Sequence, residues 1–476
     1  MKRFTPSFAL PCVTNALIFL SVSAGLLMSP PGYSDSIEPP TDSLELSTVF
    51  TPNFDAFFEL QAKDIPTEHL DSPQQVFDSA HDFGKDSATP IRVLIFPHLG
   101  KYNTPAKREK IIQRLAIRAI PQGRPATASV CYSSRNEVPL QEATRINLSL
   151  ADFEADETPI QVNCEGPAKL IRIDPELKSY VYEGHFEVRK ITPTAPAKPY
   201  LAVVNLIDFE DYLKGVVPAE MPSTWHPEAL KVQAVAARSY GLHQLNAMKT
   251  ARSKRFFDLD DTVQYQAFLG KSVYTATTTA AVLATQSEII TYQAQSGPKV
   301  ATAFFSSDSG GHTENVSDIW PENGQEARSY CVGKKEIYPE GSVDSTWSVK
   351  KMASSLMAGL IKRGITTSGE HLKKISINPQ TLPSGRTMLL DLTLSNDRKV
   401  QIPATTLSGI LGLRNRWVTK VTVNAVADSL LIDGRGFGHA VGMSQSGAHA
   451  MAKYLNLDYA SILKFYYTDV ELTRAN

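Results

Sequence analysis

Glu220 is the acidic residue whose sequence neighbours best suit proton transfer. It is the only acid between Asp211 and Glu228, and valine, proline, alanine and methionine lie around it. Apolar surroundings disfavour the charged form of a carboxyl group and raise its pKa, which suits a general acid near neutral pH. The alternative is a solvated or helix-capping glutamate, as most glutamates are.

A second polar segment, residues 306–315, reads SSDSGGHTEN. Two adjacent glycines, Gly310 and Gly311, let the backbone approach a ligand closely. The hydroxyl of Ser309 and the imidazole of His312 offer hydrogen-bonding groups that suit sugars. The alternative is a polar turn with a structural histidine.

A third segment, residues 434–449, is rich in glycine and follows an expected strand over 430–432. Its glycines are spaced G-x-G-x-G rather than G-x-G-x-x-G, so the pattern does not favour a dinucleotide-binding loop. It is more typical of a tight loop that turns polar groups toward a cleft. These groups are Arg435, His439, Ser444 and Gln445.

Metal and nucleophile chemistry find little support in the sequence. His439 and His449 are not four residues apart, and the chain contains neither H-E-x-x-H nor G-x-S-x-G. The four cysteines never form a C-x-x-C pair of the kind that structural zinc sites use. These absences argue against a zinc peptidase, a serine hydrolase and a zinc ribbon.

Composition describes an ordinary globular protein. The 476 residues include 48 Lys and Arg against 49 Asp and Glu, a formal charge of −1, and 42% are hydrophobic. Without a basic excess, a protein that coats nucleic acid is excluded, and we expect no nucleic-acid partner. The length suits roughly two to three domains.

The N-terminal region is expected to direct export. Lys2 and Arg3 precede an apolar stretch over 16–28, which is too short to span a bilayer and is followed by two prolines. We therefore expect a signal peptide over 1–33 and a protein in the periplasm or on the cell-wall side of the membrane. An uncleaved, tethering segment is the alternative. Residues 34–90, rich in Asp and Glu, are expected to be an acidic linker.

Short β-rich runs dominate the next segment, so residues 91–195 are expected to form a β-rich N-terminal lobe. The runs lie at 91–96, 170–173, 180–182 and 186–188, and a further strand is expected at 200–205. In an oxidising compartment Cys131 and Cys164 could pair and leave Cys331 unpaired. Three free, buried thiols are the open alternative.

Helical spacing becomes common after Pro227, so residues 196–476 are expected to form a mixed catalytic domain. The apolar spacing predicts helices over 227–246, 277–284 and 349–362, and turn residues predict a hairpin that joins 289–292 to 300–305. Because strands and helices alternate irregularly, the fold class is expected to be α+β, with two lobes flanking a cleft.

Taken together, several motifs resemble the stage II sporulation protein D (SpoIID) family, also called the SpoIID/LytB domain. The resemblance extends from about residue 180 to 472. The motifs are VVN (203–205), EDYL (210–213), VPAEMP (217–222), QAVAARSY (233–240), SGGHT (309–313), the glycine-rich segment and YY (466–467).

The resemblance implies an exported lytic transglycosylase, which cleaves the bond between N-acetylmuramic acid and N-acetylglucosamine and leaves a 1,6-anhydro end. It implies that Glu220 is the acid and base and that Arg238 orients Glu220 or the sugar. It also implies a substrate of glycan strands without stem peptides, and therefore a functional partnership with a cell-wall amidase. The family's roles include wall remodelling, division and sporulation.

Some family members hold zinc through His and Cys after the long helix, but residues 254–266 contain neither. We therefore expect no metal or other cofactor. A second departure lies in the glycine-rich segment, where Phe437, Ala440 and Ser446 replace the more usual Trp, Gly and Tyr. The expected substrate-binding residues are Arg238, Ser309, Gly310, Gly311, His312, Arg435, His439, Ser444 and Gln445.

Two other functions remain open on the sequence. The LytB branch of the family suggests a cell-wall binding protein that modifies or stimulates an amidase without catalysis of its own. A structural subunit of an envelope complex is the third possibility. The presence of Glu220 and Arg238 favours the enzyme.

Overall fold

The computed structural model describes residues 90–95, 112–121, 129–174, 180–192, 198–251, 256–263, 265–320, 327 and 329–475. The expected signal peptide (1–33) and nearly all of the expected acidic linker (34–90) lie outside these residues. In the part of the chain that is described, no helix is long and apolar enough to cross a membrane.

The strands are short and run through the whole described chain. Those of the first half are β1 (Ile91–Ile95), β2 (Arg114–Ala119), β3 (Cys131–Arg135), β4 (Val138–Ala143), β5 (Arg145–Ser149), β6 (Ile160–Cys164), β7 (Ala168–Asp174), β8 (Tyr180–Tyr182), β9 (His185–Ile191), β10 (Tyr200–Ile207) and β11 (Leu259–Asp260). Those of the second half are β12 (Glu288–Ala294), β13 (Gly297–Val300), β14 (Phe305–Ser306), β15 (Thr346–Met352), β16 (Leu372–Ile377), β17 (Leu389–Leu394), β18 (Lys399–Pro403), β19 (Val418–Asn424), β20 (Ser429–Arg435), β21 (Met443–Ser444) and β22 (Val470–Arg474).

The described residues also form eight α-helices and two 3-10 turns, so the fold mixes α and β structure. The helices are α1 (Phe209–Glu220), α2 (Pro227–Ala251), α3 (Ala276–Ala284), α4 (Val316–Ile319), α5 (Ala353–Lys362), α6 (Ala404–Leu411), α7 (Gln445–Leu455) and α8 (Tyr459–Tyr466). The 3-10 turns are Leu150–Phe153 and Gly270–Val273.

A seven-stranded sheet connects the expected β-rich lobe to the start of the expected catalytic domain. Its order is β11-β1-β10-β9-β6-β3-β4, and β10 pairs antiparallel with both β1 and β9. The expected boundary at 195/196 therefore falls within one sheet. In the same sheet Cys131 on β3 faces Cys164 on β6 and forms a disulfide with it, while Cys331 is free and buried.

Helix α1 begins at a cap and carries Glu220 at its other end. The carboxylate of Asp208 accepts hydrogen bonds from the backbone N–H groups of Glu210 and Asp211, which satisfies donors that the first turn leaves unpaired. This helix was not predicted from the sequence, because Gly215 and Pro218 are poor helix formers. Gly215 is needed there because a Cβ atom would lie 2.6 Å from the Phe268 ring.

Helix α2 forms the centre of the larger core, packing against α1, α3, α7 and α8. It begins at Pro227 as expected and continues to Ala251, five residues beyond the predicted end. Its buried residues include the polar side chains of Gln233, Arg238 and Ser239.

A second core lies among β15 to β20, α5 and α6. Here the predicted helix over 349–362 is wrong in its first turn, because residues up to Met352 belong to β15, which pairs antiparallel with β20. The helix proper is α5. A hairpin after β12 is present, but the prediction is wrong in its second strand, which is Gly297–Val300 and not 300–305. Residues 301–304 lie outside any strand, and Phe305 begins β14, which pairs with β21. Two lobes flanking a cleft stay a prediction.

Candidate active site around Glu220

Glu220 ends helix α1 with a part-buried side chain. Its Oε1 accepts a hydrogen bond from the backbone N–H of Ala267 at 2.7 Å, and its Oε2 accepts one from Gln445 Nε2 at 3.3 Å. Burial raises the pKa of the Glu220 carboxyl above its ordinary value, while the two hydrogen bonds act in the opposite direction. The direction of this shift agrees with the expectation from the apolar neighbours.

Gln445 reaches Glu220 from the first residue of α7. The hydroxyl of Ser444 caps this helix by accepting a hydrogen bond from the Gly447 N–H at 3.2 Å. The Gln445 side chain is buried, and its Nε2 also donates to Gln233 Oε1 on α2 at 3.2 Å. Gln445 and Ser444 therefore support the site from within, instead of facing a substrate as expected.

The second and third polar segments of the sequence lie side by side. Strand β14 pairs parallel with β21, and Asp308 forms a bridge with Phe437. The Ser309 N–H donates to the Ser444 hydroxyl at 3.2 Å. The structure thus brings together two segments that are more than a hundred residues apart, and joins them to the helix that carries Gln445.

Ser309 is fully buried and donates its hydroxyl hydrogen to the carboxylate of Glu336. Tyr338 and Tyr466 donate to the same carboxylate, whose pKa burial raises. Gly447 leaves room for this cluster, because a Cβ atom at that position would lie 1.9 Å from Glu336 Oε1. The expectation that Ser309 binds sugar is corrected, since its hydroxyl is held in the interior.

A buried ion pair links these segments to the second core. Arg386 Nη1 lies 2.6 Å from Glu314 Oε1, and both side chains are 1% exposed. The Arg386 guanidinium also donates to the backbone carbonyl of Ser309. Because each charge has a partner in the interior, the loop before Glu314 is fixed against residues of the second core.

The glycine pair and His312 sit close to a cationic and aromatic surface. Gly310 is buried with a φ of 74°, and a Cβ atom there would lie 3.0 Å from the Trp417 ring. Exposed Arg435 stacks 5.0 Å from the centre of the same ring. Gly311 adjoins Arg435, and part-buried His312 donates its Nδ1 hydrogen to the Thr313 carbonyl at 2.6 Å.

His439 is part-buried among aromatic rings. Its ring centre lies 4.9 Å from that of Trp320 and 6.3 Å from that of Phe304. Burial, assisted by the charge of Arg386 and opposed by a hydrogen bond with the Phe305 backbone, lowers the pKa of His439 to about 4. Nδ1 accepts a hydrogen bond from the Val441 N–H at 2.9 Å, so the neutral ring carries its hydrogen on Nε2.

Arg238 does not contact Glu220, which corrects the role expected for it. Its Nε and Nη2 each donate to the carboxylate of Glu210 at 2.8 Å, and Nη1 donates to the Glu288 carbonyl at 3.1 Å. The side chain is 1% exposed. A guanidinium buried in this way joins α2 to the first turn of α1 and is not available to a sugar.

Asp260 is a buried carboxyl group that the sequence analysis did not identify. It ends β11, with its Oδ1 accepting hydrogen bonds from the Thr262 N–H at 2.9 Å and hydroxyl at 2.5 Å. Burial raises the pKa of Asp260 to about 6. Burial also raises the pKa of Tyr240, and the charges of Asp260 and Glu220 raise it further, so the three groups interact.

Two other partners of the site were not foreseen, Gln233 and the Ala267 N–H. A backbone donor has no sequence signal. Gln233 had one, because it is a polar residue beside the apolar stripe that defines α2. Among the described residues, no group of three or more His, Cys, Asp or Glu could hold a metal ion.

Comparison with known proteins gives a consistent set of similarities. Residues 198–292 match the family model described as stage II sporulation protein. The chain is 34% identical over 281 residues to an uncharacterized protein of Brachyspira hyodysenteriae, covering 59% of this chain and 71% of that protein. It is 30% identical over 287 residues to stage II sporulation protein D of Bacillus amyloliquefaciens, with 57% and 76% covered. It is also 29% identical over 304 residues to a Bacillus subtilis protein named amidase enhancer, with 55% and 40% covered.

Proposed function

The chain belongs to the stage II sporulation protein D family, and from that premise we propose that it is a lytic transglycosylase of peptidoglycan. Its substrate would be a glycan strand without stem peptides, in the periplasm or on the cell-wall side of the membrane. The observation that carries the proposal is the Glu220 carboxyl, part-buried, raised in pKa and held by two donors.

One carboxyl group is enough for this reaction. Glu220 in its protonated form donates its proton to the glycosidic oxygen as the bond to muramic acid C1 breaks. The resulting carboxylate then removes the proton from the C6 hydroxyl of the same sugar, whose oxygen bonds to C1. No water is consumed, so the second carboxylate that ordinary glycosidases need has no role.

The two oxygens of Glu220 suit different parts of this cycle. Oε1 is bound at 2.7 Å by a backbone N–H, which is a donor in either protonation state of the acid. Oε2 receives the longer contact, 3.3 Å, from Gln445. We assign the proton that moves to Oε2, because the 3.3 Å contact from Gln445 leaves more room around that oxygen than the 2.7 Å hydrogen bond leaves around Oε1.

Arg435 and Trp417 are the groups best placed to contact sugar near the glycine pair. Arg435 is exposed and Trp417 is part-buried, whereas Ser309, Gly310 and Ser444 are buried. An aromatic face and a guanidinium together offer an apolar surface and hydrogen-bond donors to a carbohydrate.

A second candidate function is stimulation of a cell-wall amidase without catalysis. The similarity to the protein named amidase enhancer favours it, although the chain covers only 40% of that protein. The two functions need not exclude each other, because removal of stem peptides by an amidase would supply the bare glycan that a transglycosylase of this kind cleaves.

Mass spectrometry of digestion products tests the proposal. Purified protein is incubated with intact sacculi and with amidase-treated sacculi, and the new ends are identified. We expect 1,6-anhydro-muramic ends from the amidase-treated material and few from intact sacculi. Reducing ends would instead indicate a hydrolase. If no bond is cut but an added amidase works faster, the second function replaces the first.

A further inference from the structure

Three side chains from three helices form a hydrogen-bonded chain that ends on the reactive oxygen of Glu220. Gln445 Nε2 donates one hydrogen to Glu220 Oε2 at 3.3 Å and the other to Gln233 Oε1 at 3.2 Å. Gln233 is fully buried and Gln445 is 3% exposed. Both hydrogens of the Gln445 amide are thus directed to acceptors.

We propose that Gln233 is a positioning residue for the reaction. Its side chain orients the Gln445 amide so that the donor Nε2, and not the acceptor Oε1, faces Glu220 Oε2. This inference rests on the proposed function of Glu220. If the Gln445 amide turned over, its Oε1 would accept the proton of Glu220 and hold it away from the glycosidic oxygen. Reversal of the Gln445 amide with Gln233 in place would set Gln445 Oε1 against Gln233 Oε1, two acceptors, and would lose the hydrogen bond between the two amides.

The environment of Gln233 Nε2 indicates that this arrangement is not kept for stability. Nε2 is buried and has no hydrogen-bond partner among the described residues. An unpaired donor in the interior is unfavourable, and reversing the Gln233 amide would set its Nε2 against Gln445 Nε2. Gln266 provides a contrast, because it is equally buried but accepts from the Tyr212 hydroxyl and donates to the Ala237 carbonyl.

The first test measures the protonation of Glu220 directly. The infrared band of its carboxylic acid is isolated by subtracting the spectrum of a Glu220→Gln variant in each background, and is followed against pH. In Gln233→Met the freed Gln445 amide can accept the Glu220 proton, so we expect the titration midpoint to rise by about one pH unit. Gln445→Met should also raise the titration midpoint, because the hydrogen bond that Gln445 donates to ionised Glu220 is lost.

The double variant shows whether Gln233 acts through Gln445. If it does, Gln233→Met adds no further shift in the Gln445→Met background. Gln401→Met, in which the lost amide contacts Asp391 on another sheet, is the control and should leave the midpoint unchanged. An unchanged midpoint in Gln233→Met, or a full shift that persists without Gln445, would overturn the proposal.

Thermal unfolding separates positioning from a structural role. We expect Gln233→Met to unfold at the wild-type temperature or above, since the unpaired Nε2 is removed, and Gln266→Met to unfold earlier. A Gln233→Met protein that is clearly destabilised or fails to fold would contradict the proposal. The infrared midpoint does not depend on turnover, so an inactive wild-type protein would reject the proposed function without affecting this result.

Discussion

At the scale of single residues, the carboxyl groups of part-buried Glu220 and buried Asp260 both raise the pKa of Tyr240 but are held differently. Glu220 receives one hydrogen bond on each oxygen, whereas the N–H and the hydroxyl of Thr262 both donate to the same oxygen of Asp260. The apolar neighbours made Glu220 a candidate in the sequence, and the resemblance to the family assigned it the role of acid and base. Asp260 could not be identified, because it lies beside Asp261 in an acidic run whose burial only the sheet determines.

Asp260 should make the stability of the protein depend on pH. Its pKa is about 6 in the folded state against an ordinary value of 3.8, so the folded protein binds this proton more tightly than the unfolded chain does. Stability therefore falls as pH rises through this window, by about 3 kcal/mol from this residue. Asp260→Asn should remove this loss of stability with rising pH.

Urea unfolding at pH 4 and pH 7.5 measures the effect. The part of the advantage of Asp260→Asn over wild type that depends on pH should be about 0.5 kcal/mol at pH 4 and about 3 kcal/mol at pH 7.5. The same difference at both pH values would show that the carboxyl of Asp260 ionises normally in the folded protein.

At the scale of elements, the site depends on the ends of two helices. Glu220 lies at the C-terminal end of α1, where the helix dipole disfavours a negative charge, and Gln445 lies at the N-terminal end of α7. The apolar spacing in the sequence predicted α2 and α3. The sequence analysis missed α1, which contains the poor helix formers Gly215 and Pro218, and it extended α5 into β15.

Arg238 should stabilise the packing of α1 against α2. Removing a partner from a buried ion pair leaves the other charge uncompensated, so Arg238→Leu should lower the free energy of unfolding by about 3–5 kcal/mol. Arg474→Leu is the matched control, since that arginine is 74% exposed on its side chain and lies 3.8 Å from Glu288; it should change stability by less than about 1 kcal/mol.

Chemical denaturation with activity measured on the folded fraction separates stability from catalysis. We expect folded Arg238→Leu to keep a turnover number close to that of wild type. A normal stability combined with lost turnover would restore the role in substrate orientation that the sequence suggested for Arg238.

At the scale of the whole molecule, long-range contacts assemble the site from segments that the sequence presents separately. The Ser309 backbone binds both Ser444 and Arg386, so the glycine-rich segment and the second core are fixed to one loop. Each segment was visible in the sequence as polar residues among glycines. Which side chains point inward was not, because burial depends on pairings such as β14 with β21.

The central claim is that Glu220 supplies and removes the transferred proton. Glu220→Gln keeps the size of the side chain and removes its transferable proton, so release of 1,6-anhydro-muramic ends from amidase-treated sacculi should fall by at least ~100-fold. The unfolding temperature should stay close to that of wild type.

Initial rates of anhydro-end release by wild type, Glu220→Gln and the exposed control Glu340→Gln are the most direct measurement. We expect wild-type rates for Glu340→Gln and the loss of at least ~100-fold for folded Glu220→Gln. A Glu220→Gln protein that releases anhydro ends at the wild-type rate would contradict it.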